Sequence, residues 1–264
     1  MKPHRVVVTA ISTLSGLLCA LGWGLAQAQV VKAPQLAPLV QPDGELSPVW
    51  RFVGFPKKQA DLPPTRFEAG NVDQQAALKV TTESSYGTWV HPWRGSVPSQ
   101  LQWRWRLDEP LSGGKGSADL LAKSGDDAAL KVCVMFDLPL DSIPFVDRTV
   151  LRIARSVSGE PLPAATLCYV WDSAGPALRQ GVNPYTRRVR FISLQGRSAP
   201  LSRWVSESRD VGQDFATLFA DELPKGTETP RSDLPPVTQV VIGADSDNTA
   251  SHSTAWIRGL RWVP

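Results

Sequence analysis

Leu101-Gln102-Trp103-Arg104-Trp105-Arg106-Leu107 alternates without a fault. Leu101, Trp103, Trp105 and Leu107 point one way, and Gln102, Arg104 and Arg106 the other. An extended chain sends successive side chains to opposite sides, so this segment is a strand with one face on a core and one in water. That one-sided wetting is the habit of antiparallel sheets. The same period returns in Leu130, Val132, Val134 and Phe136, where Cys133 and Met135 make the second face less polar. Ala77–Thr81, Tyr86–Val90, Thr166–Trp171, Arg188–Leu194, Arg203–Arg209, Val237–Ala244 and Thr254–Trp262 are further short strands of this kind. Between them, 23 prolines and 20 glycines punctuate the chain too often for long helices. The expected fold is mainly all-β, an antiparallel sandwich with one or two short helical excursions.

The first excursion runs from Ile143 to Val157. Val146, Val150, Ile153 and Val157 recur there at helical spacing, with Arg148, Arg152 and Arg155 as a solvated stripe on another face. In the second, Asp214 reads as the N-cap of a helical turn or two through Phe215, Leu218 and Phe219.

Three segments make up the expected domain organisation. Residues 1–28 read as a signal peptide: Lys2 and Arg5 precede an apolar run to Leu25, and Ala26-Gln27-Ala28 offers small residues for cleavage. Residues 29–46, rich in Pro, Gln and Val without period, read as a flexible linker. Residues 47–264 form the sandwich. No second run approaches a membrane span, so none is expected after cleavage. The whole chain carries +3, of which Lys2 and Arg5 supply two, so the exported domain is close to neutral and nucleic-acid binding by charge has no support. The location expected is the periplasm or the medium. Its oxidising chemistry suits a disulfide between Cys133 and Cys168, each alternating against core-facing neighbours in its own strand.

Several stretches in order carry a resemblance. Leu101–Leu107 is followed by Lys123-Ser-Gly-Asp-Asp127 and Val132–Phe136. Tyr169-Val-Trp171, Trp204 with Glu207, Arg209-Asp210-Val211 and Asp214-Phe215 come next, then Asp245-Ser-Asp-Asn-Thr249 before a closing strand. This order resembles the bacterial exported family catalogued as domain of unknown function 3047, over roughly Trp50 to Trp262. The resemblance implies a jelly-roll-like sandwich in a Gram-negative envelope, and it implies no activity.

The residues that bear chemistry are mostly acidic and aromatic. Asp126 and Asp127 sit in a Gly-containing turn before a strand; they suit turn hydrogen bonds, Ca²⁺ or sugar hydroxyls. Asp245, Asp247 and Asn248 follow an apolar strand as small oxygen donors. Ala250 and Trp256 stand where an EF-hand needs Gly and Glu, so a Ca²⁺ site held by Asp245 and Asp247 would be of another kind. If the Leu130–Phe136 and Val237–Ala244 strands are antiparallel neighbours, both acidic loops meet at one end. A bound cation, a basic group of a ligand, or a side chain would then have to neutralise them, Lys123 or Arg209 being the side chains to consider. Trp89 and Trp93, beside His91 and Pro92, are candidates for an exposed loop that stacks on sugar rings, with core packing as the alternative. His91 and His252 have no zinc-binding spacing, and neither a nucleophile elbow nor a phosphate-binding glycine loop is present. The functional expectation is a non-catalytic periplasmic domain that binds a glycan or another hydroxyl-rich envelope ligand, with Ca²⁺ as the one cofactor to consider. Two alternatives stand beside it: a glycan-active enzyme using paired carboxylates, and a structural partner in an envelope assembly.

Overall fold

The computed structural model describes residues 1, 35–55, 61–158, 162–223 and 230–263. Its strands are β1 (Arg51–Val53), β2 (Arg66–Val72), β3 (Gln75–Glu83), β4 (Tyr86–Gly95), β5 (Gln100–Ser112), β6 (Ala128–Phe136), β7 (Ala165–Trp171), β8 (Gln180–Val182), β9 (Val189–Gln195), β10 (Val205–Arg209), β11 (Val237–Asp245) and β12 (His252–Val263). Helix α1 (Phe145–Ser158) lies between β6 and β7, and α2 (Val211–Leu218) between β10 and β11.

One sheet runs β1-β4-β11-β6-β7-β9-β8 and the other β10-β5-β12-β3-β2. The last two long strands, β11 and β12, each insert into the middle of a sheet. The resulting rows, β4-β11-β6-β7 and β3-β12-β5-β10, are the eight-strand order of a jelly roll. The opening heptad lies in β5 and faces the core as its alternation requires: Trp103 is 2% exposed, while Leu101 and Trp105 are fully buried. Across the sandwich, Trp103 meets Tyr169 with ring centroids 5.3 Å apart, and Trp105 meets Trp171 at 5.5 Å. Truncating such a ring to alanine costs about 3–5 kcal/mol, because the lost transfer energy is joined by a cavity.

Among the strands described, one pairing departs from the antiparallel pattern. β7 and β9 run parallel, and the short β8 returns antiparallel to β9. Strands β1, β2 and β8 are additions at sheet edges with little alternation to betray them. The β2–β3 hairpin turns through Asp73 and Gln74, both at positive φ (52° and 58°), where a glycine would be the recognisable signal.

Three sequence expectations need correction. Residues 35–46 are not a free linker: Leu36 and Leu39 are 7% and 5% exposed. The Ala37 N–H donates to His91 Nε2 at 3.0 Å, and Trp50 Nε1 donates to the Ala37 carbonyl at 3.0 Å. Isolated apolar residues without period can still fill a gap beside a sheet. Residues 29–34 and, Met1 apart, the signal segment 1–28 lie outside the described residues. The N-cap of α2 is Asp210, whose side chain accepts the Gln213 N–H; Asp214 lies one turn inside the helix. There it accepts from Tyr169 OH (2.7 Å) and Arg209 (2.6 and 2.9 Å). Helix α1 forms where expected but turns over. Val146, Val150 and Ile153 are 60–70% exposed, Leu151 is buried, and Arg155 bends back to the Leu162 carbonyl at 2.7 Å. Periodicity reports that a helix has an apolar side, not which way that side points.

Cys133 and Cys168 stand directly opposite each other on β6 and β7 and form the disulfide. They belong to a second, smaller apolar cluster with Val90, Leu120, Phe191 and Val241, on the outer side of the larger sheet. Among the described residues no helix is long and apolar enough to cross a membrane.

Candidate functional site

The adjacent, antiparallel β6 and β11 do bring the two acidic loops together. Asp126 and Asp127 lead into β6 after a short 3₁₀ turn at Lys123–Gly125. Asp245 closes β11 and pairs in register with Tyr86 at the start of β4. The loop 246–251 then crosses the end of the sheet. Its sharpest point is Ala250, at φ 51°.

Two of the four carboxylates are fully employed by the fold. Asp127, 2% exposed, accepts the backbone N–H of Asn248 (3.1 Å) and of Thr249 (2.7 Å), together with the Asn248 amide (3.2 Å) and the Thr249 hydroxyl. It serves the crossing loop as a cap. Asp245, 6% exposed, accepts the Ala128 N–H at 2.8 Å and Lys131 Nζ at 2.5 Å. Burial pushes the Asp245 carboxyl up, and Lys131 pulls it back. Burial also works to discharge Lys131, but Asp245, Tyr86 and Asp126 outweigh it and hold the ammonium above its ordinary value.

Asp126 and Asp247 are held less completely. Asp126 accepts from the Asn183 amide, and Asp247 Oδ1 has no hydrogen-bond partner. Burial pushes both carboxyls up to about 6, with Asp245 and Asp127 adding repulsion in each case and Lys131 opposing it. Each can therefore accept a hydrogen bond as a carboxylate at neutral pH or carry a proton in mild acid. Beside them Tyr185, 57% exposed, has two acceptors within reach of its one hydroxyl proton, the Lys123 carbonyl at 2.7 Å and Asn248 Oδ1 at 3.0 Å. Lys123 Nζ sits 5.4 Å from the centre of its ring.

This arrangement alters several expectations. Lys131 is the counter-charge, not Lys123 or Arg209; Arg209 is bound to Asp214 elsewhere. Calcium at Asp245 and Asp247 is not supported, since Asp245 already spends its oxygens on Lys131 and Ala128. No group of three His, Cys, Asp or Glu side chains among the described residues is placed to hold a metal ion. Trp89 and Trp93 are not in a loop. They lie within β4, where Trp93 is 7% exposed and meets Trp262 at 5.7 Å, and Trp89 stacks on Phe67 at 5.5 Å. Trp93 is seven strand residues from Tyr86, roughly 23 Å at the usual rise. Glu207 is likewise elsewhere, accepting from Trp105 Nε1 and Gln195 Nε2.

Sequence reasoning missed Lys131, Tyr86, Asn183 and Tyr185. Lys131 left a signal, as a lone cation in the apolar run Leu130-Lys131-Val132, close behind two aspartates. Asn183 and Tyr185 come from the β8–β9 excursion, and nothing in their local sequence ties them to the acidic loops.

No curated protein matches the chain. Among solved structures it is similar to a β-1,2-glucanase from Parabacteroides distasonis, with a TM-score of 0.31 and 11% identity. That likeness covers 81% of this chain but only 22% of the glucanase, and it is too slight to carry an activity across. Residues 48–261 match the model of the family described as "Protein of unknown function (DUF3047)", and the chain belongs to that family.

Proposed function

We propose that this is a non-catalytic binding domain of the bacterial envelope, taking a glycan or other hydroxyl-rich ligand at the Asp126–Asp247 end of the jelly roll. One observation carries the reading: two carboxyls only half satisfied by the protein lie beside an exposed tyrosine ring. Carboxylates accept hydrogen bonds from sugar hydroxyls, and a flat ring packs on the apolar face of a sugar. The periplasmic placement rests on the Lys2-to-Ala28 pattern and agrees with a disulfide.

A glycan array probed with the purified protein, followed by calorimetry on the hits, tests this. Retention should fall about tenfold or more in Asp247→Asn and in Tyr185→Ala, and EDTA should change nothing. Retention by the wild type with no cleavage of the bound oligosaccharide separates binding from the paired-carboxylate enzyme. Cleavage abolished by Asp126→Asn would replace this reading with that one. The exposed Val146, Val150 and Ile153 stripe favours a second reading, docking on an envelope protein. An empty glycan array, together with an envelope complex lost on Val150→Asp, would give that reading precedence.

A further inference from the structure

The outer face of the smaller sheet carries a patch of opposite sign, far from the acidic loops in function and independent of the reading above. In register across β10, β5 and β12, Ser206 stands opposite Arg104, and Arg104 opposite Arg258. The next outward row is Ser208, Gln102 and Arg261. In a regular strand Arg258 and Arg261, three residues apart, would face opposite ways. A bulge through Gly259, at φ 64°, and the buried Leu260 places two residues of β12 against one of β5 and brings Arg261 back to the outer face. The chain thus spends a bulge to collect a third arginine.

These arginines lack acidic partners. Arg106, on the same face of β5, is paired with Asp73 at 2.8 Å and Asp108 at 2.6 Å. Among the described residues Arg104, Arg258 and Arg261 make no ion pair. Arg104 and Arg258 lie over the single indole of Trp204, at 5.9 and 5.6 Å from its centre. Arg104 Nε is buried without a hydrogen-bond partner. Arg258 and Arg261 donate only to the neutral amides of Gln75 and Gln102, which leaves most of their five N–H groups free. Like charges placed opposite each other on a sheet repel. A cleft of about 310 Å³ opens here, lined by Gln102, Arg104, Ser206, Ser208, Arg258 and Arg261. Glu207 reaches its floor, but its carboxylate is turned to Trp105 and Gln195 on the core side.

We infer that this cleft binds the tetrahedral oxyanion of a phosphate or sulfate, free or as an ester on a sugar. Guanidinium forks match such oxygens two at a time, and the Ser206 hydroxyl can supply a further donor at the rim; Ser208 already gives its proton to Gln100 Oε1. Trp204 holds two of the forks in place before the ligand arrives.

Calorimetric titration of the purified protein with inorganic phosphate, inorganic sulfate and glucose 6-phosphate tests the site. Saturable binding of at least one is expected, weakening as salt is raised. The double variant Arg104→Gln/Arg258→Gln should bind about tenfold more weakly or worse, whereas Arg106→Gln should bind as the wild type does. Should the double variant fold poorly, Arg261→Gln, whose side chain is exposed, should still show a several-fold loss. Glucose 6-phosphate binding more tightly than phosphate points to an ester; equal affinities point to the free anion. No saturable binding of any of the three, or an equal loss in Arg106→Gln, overturns the inference.

Discussion

The arginine network on β9 and the acidic loops of β6 and β11 both belong to the larger sheet, and both bury several charges. Their compositions differ. Arg188 and Arg190, 6% and 4% exposed, face Glu222 and Asp221. Arg188 also donates to the Ala164 carbonyl at 3.2 Å, and Arg190 donates to the Leu218 carbonyl and lies 4.3 Å from the Phe219 ring centre. Arg190 holds the Asp221 carboxyl below the usual range. Arg187 adds a second contact to Asp221 and Asp147 a second one to Arg188, so three guanidiniums meet three carboxylates there. Backbone carbonyls take further donors, and Arg188 Nε alone among these groups is buried without a partner. At the acidic end four carboxylates share one lysine, and Asp247 keeps an oxygen with no partner. A charge cluster that neutralises itself is sufficiently explained by the fold. One that does not needs a proton or a ligand to complete it.

The largest effect expected is on the self-neutralising side. Arg190→Ala takes one of its two cations from the buried Glu222, which keeps Arg188, and one from the half-exposed Asp221, which keeps Arg187. It should cost about 3 kcal/mol in chemical denaturation, the low end for breaking a buried pair. A loss below about 1 kcal/mol would mean that solvent already screens the network, and the contrast between the regions would fail.

The disulfide lies between the two regions, joining β6, which carries Lys131, to β7, the neighbour of β9. Cys133→Ala/Cys168→Ala releases a closed loop of 35-residue separation and should lower stability by about 2–4 kcal/mol. Hydrogen exchange should show β6 and β7 opening first; uniform loosening would deny the bridge its place as the joint between them.

How much of this was legible follows from the kind of signal each part leaves. Strands β3 to β7 and β9 to β12 were legible by two signals: a half-buried strand must alternate, as Leu101–Leu107 does, and strands buried on both faces, as β7 is, stand out as short apolar runs between turn residues. The edge strands β1 and β8, three residues each, are too short to alternate. Trp89 and Trp93 misled because the His91-Pro92 between them reads as a loop. In the fold Pro92 pairs with Gln239 at a register shift of β11, a place where a strand tolerates a residue without an N–H. The acidic loops were traceable because strand adjacency alone decides whether their ends coincide. Their neutralising lysine was not, since a single Lys in a strand looks like any solvent-facing residue until its neighbours are known.

Within the acidic end, the contrast can be sharpened residue by residue. Asp127→Ala removes the acceptor for two backbone N–H groups of the crossing loop and leaves them buried. The expected cost is about 1–3 kcal/mol. Asp127→Asn should recover part of it, because an amide oxygen still accepts. Equal losses in the two variants would show that charge, not the hydrogen-bond geometry, is what the loop requires.

Asp247→Asn is the smallest and most discriminating change, and its sign is opposite. The Asp247 carboxyl titrates at about 6 in the folded protein, against about 3.9 in an unfolded chain. Between those values the folded state keeps a proton that the unfolded state has released. By linkage the group's favourable contribution is complete below about pH 4 and is lost as pH rises through 6. At pH 7 Asp247 is therefore an ionised group in a place that disfavours charge, and replacing it with a neutral amide should stabilise the protein. Because the side chain is partly exposed, solvent screening holds the gain to roughly 1 kcal/mol. His91 acts in the reverse direction over part of the same range. Burial lowers its pKa, so its contribution is present above the unfolded value near 6.5 and declines as pH falls below it. The measurement is accordingly a difference: melting curves of wild type and Asp247→Asn at pH 5 and pH 7.5. The variant should gain more at pH 7.5 than at pH 5, since only there does it remove a charge. A variant less stable than the wild type at pH 7.5 would mean that the ionised Asp247 has a partner in solution, and the acidic end would then belong with the self-neutralising clusters.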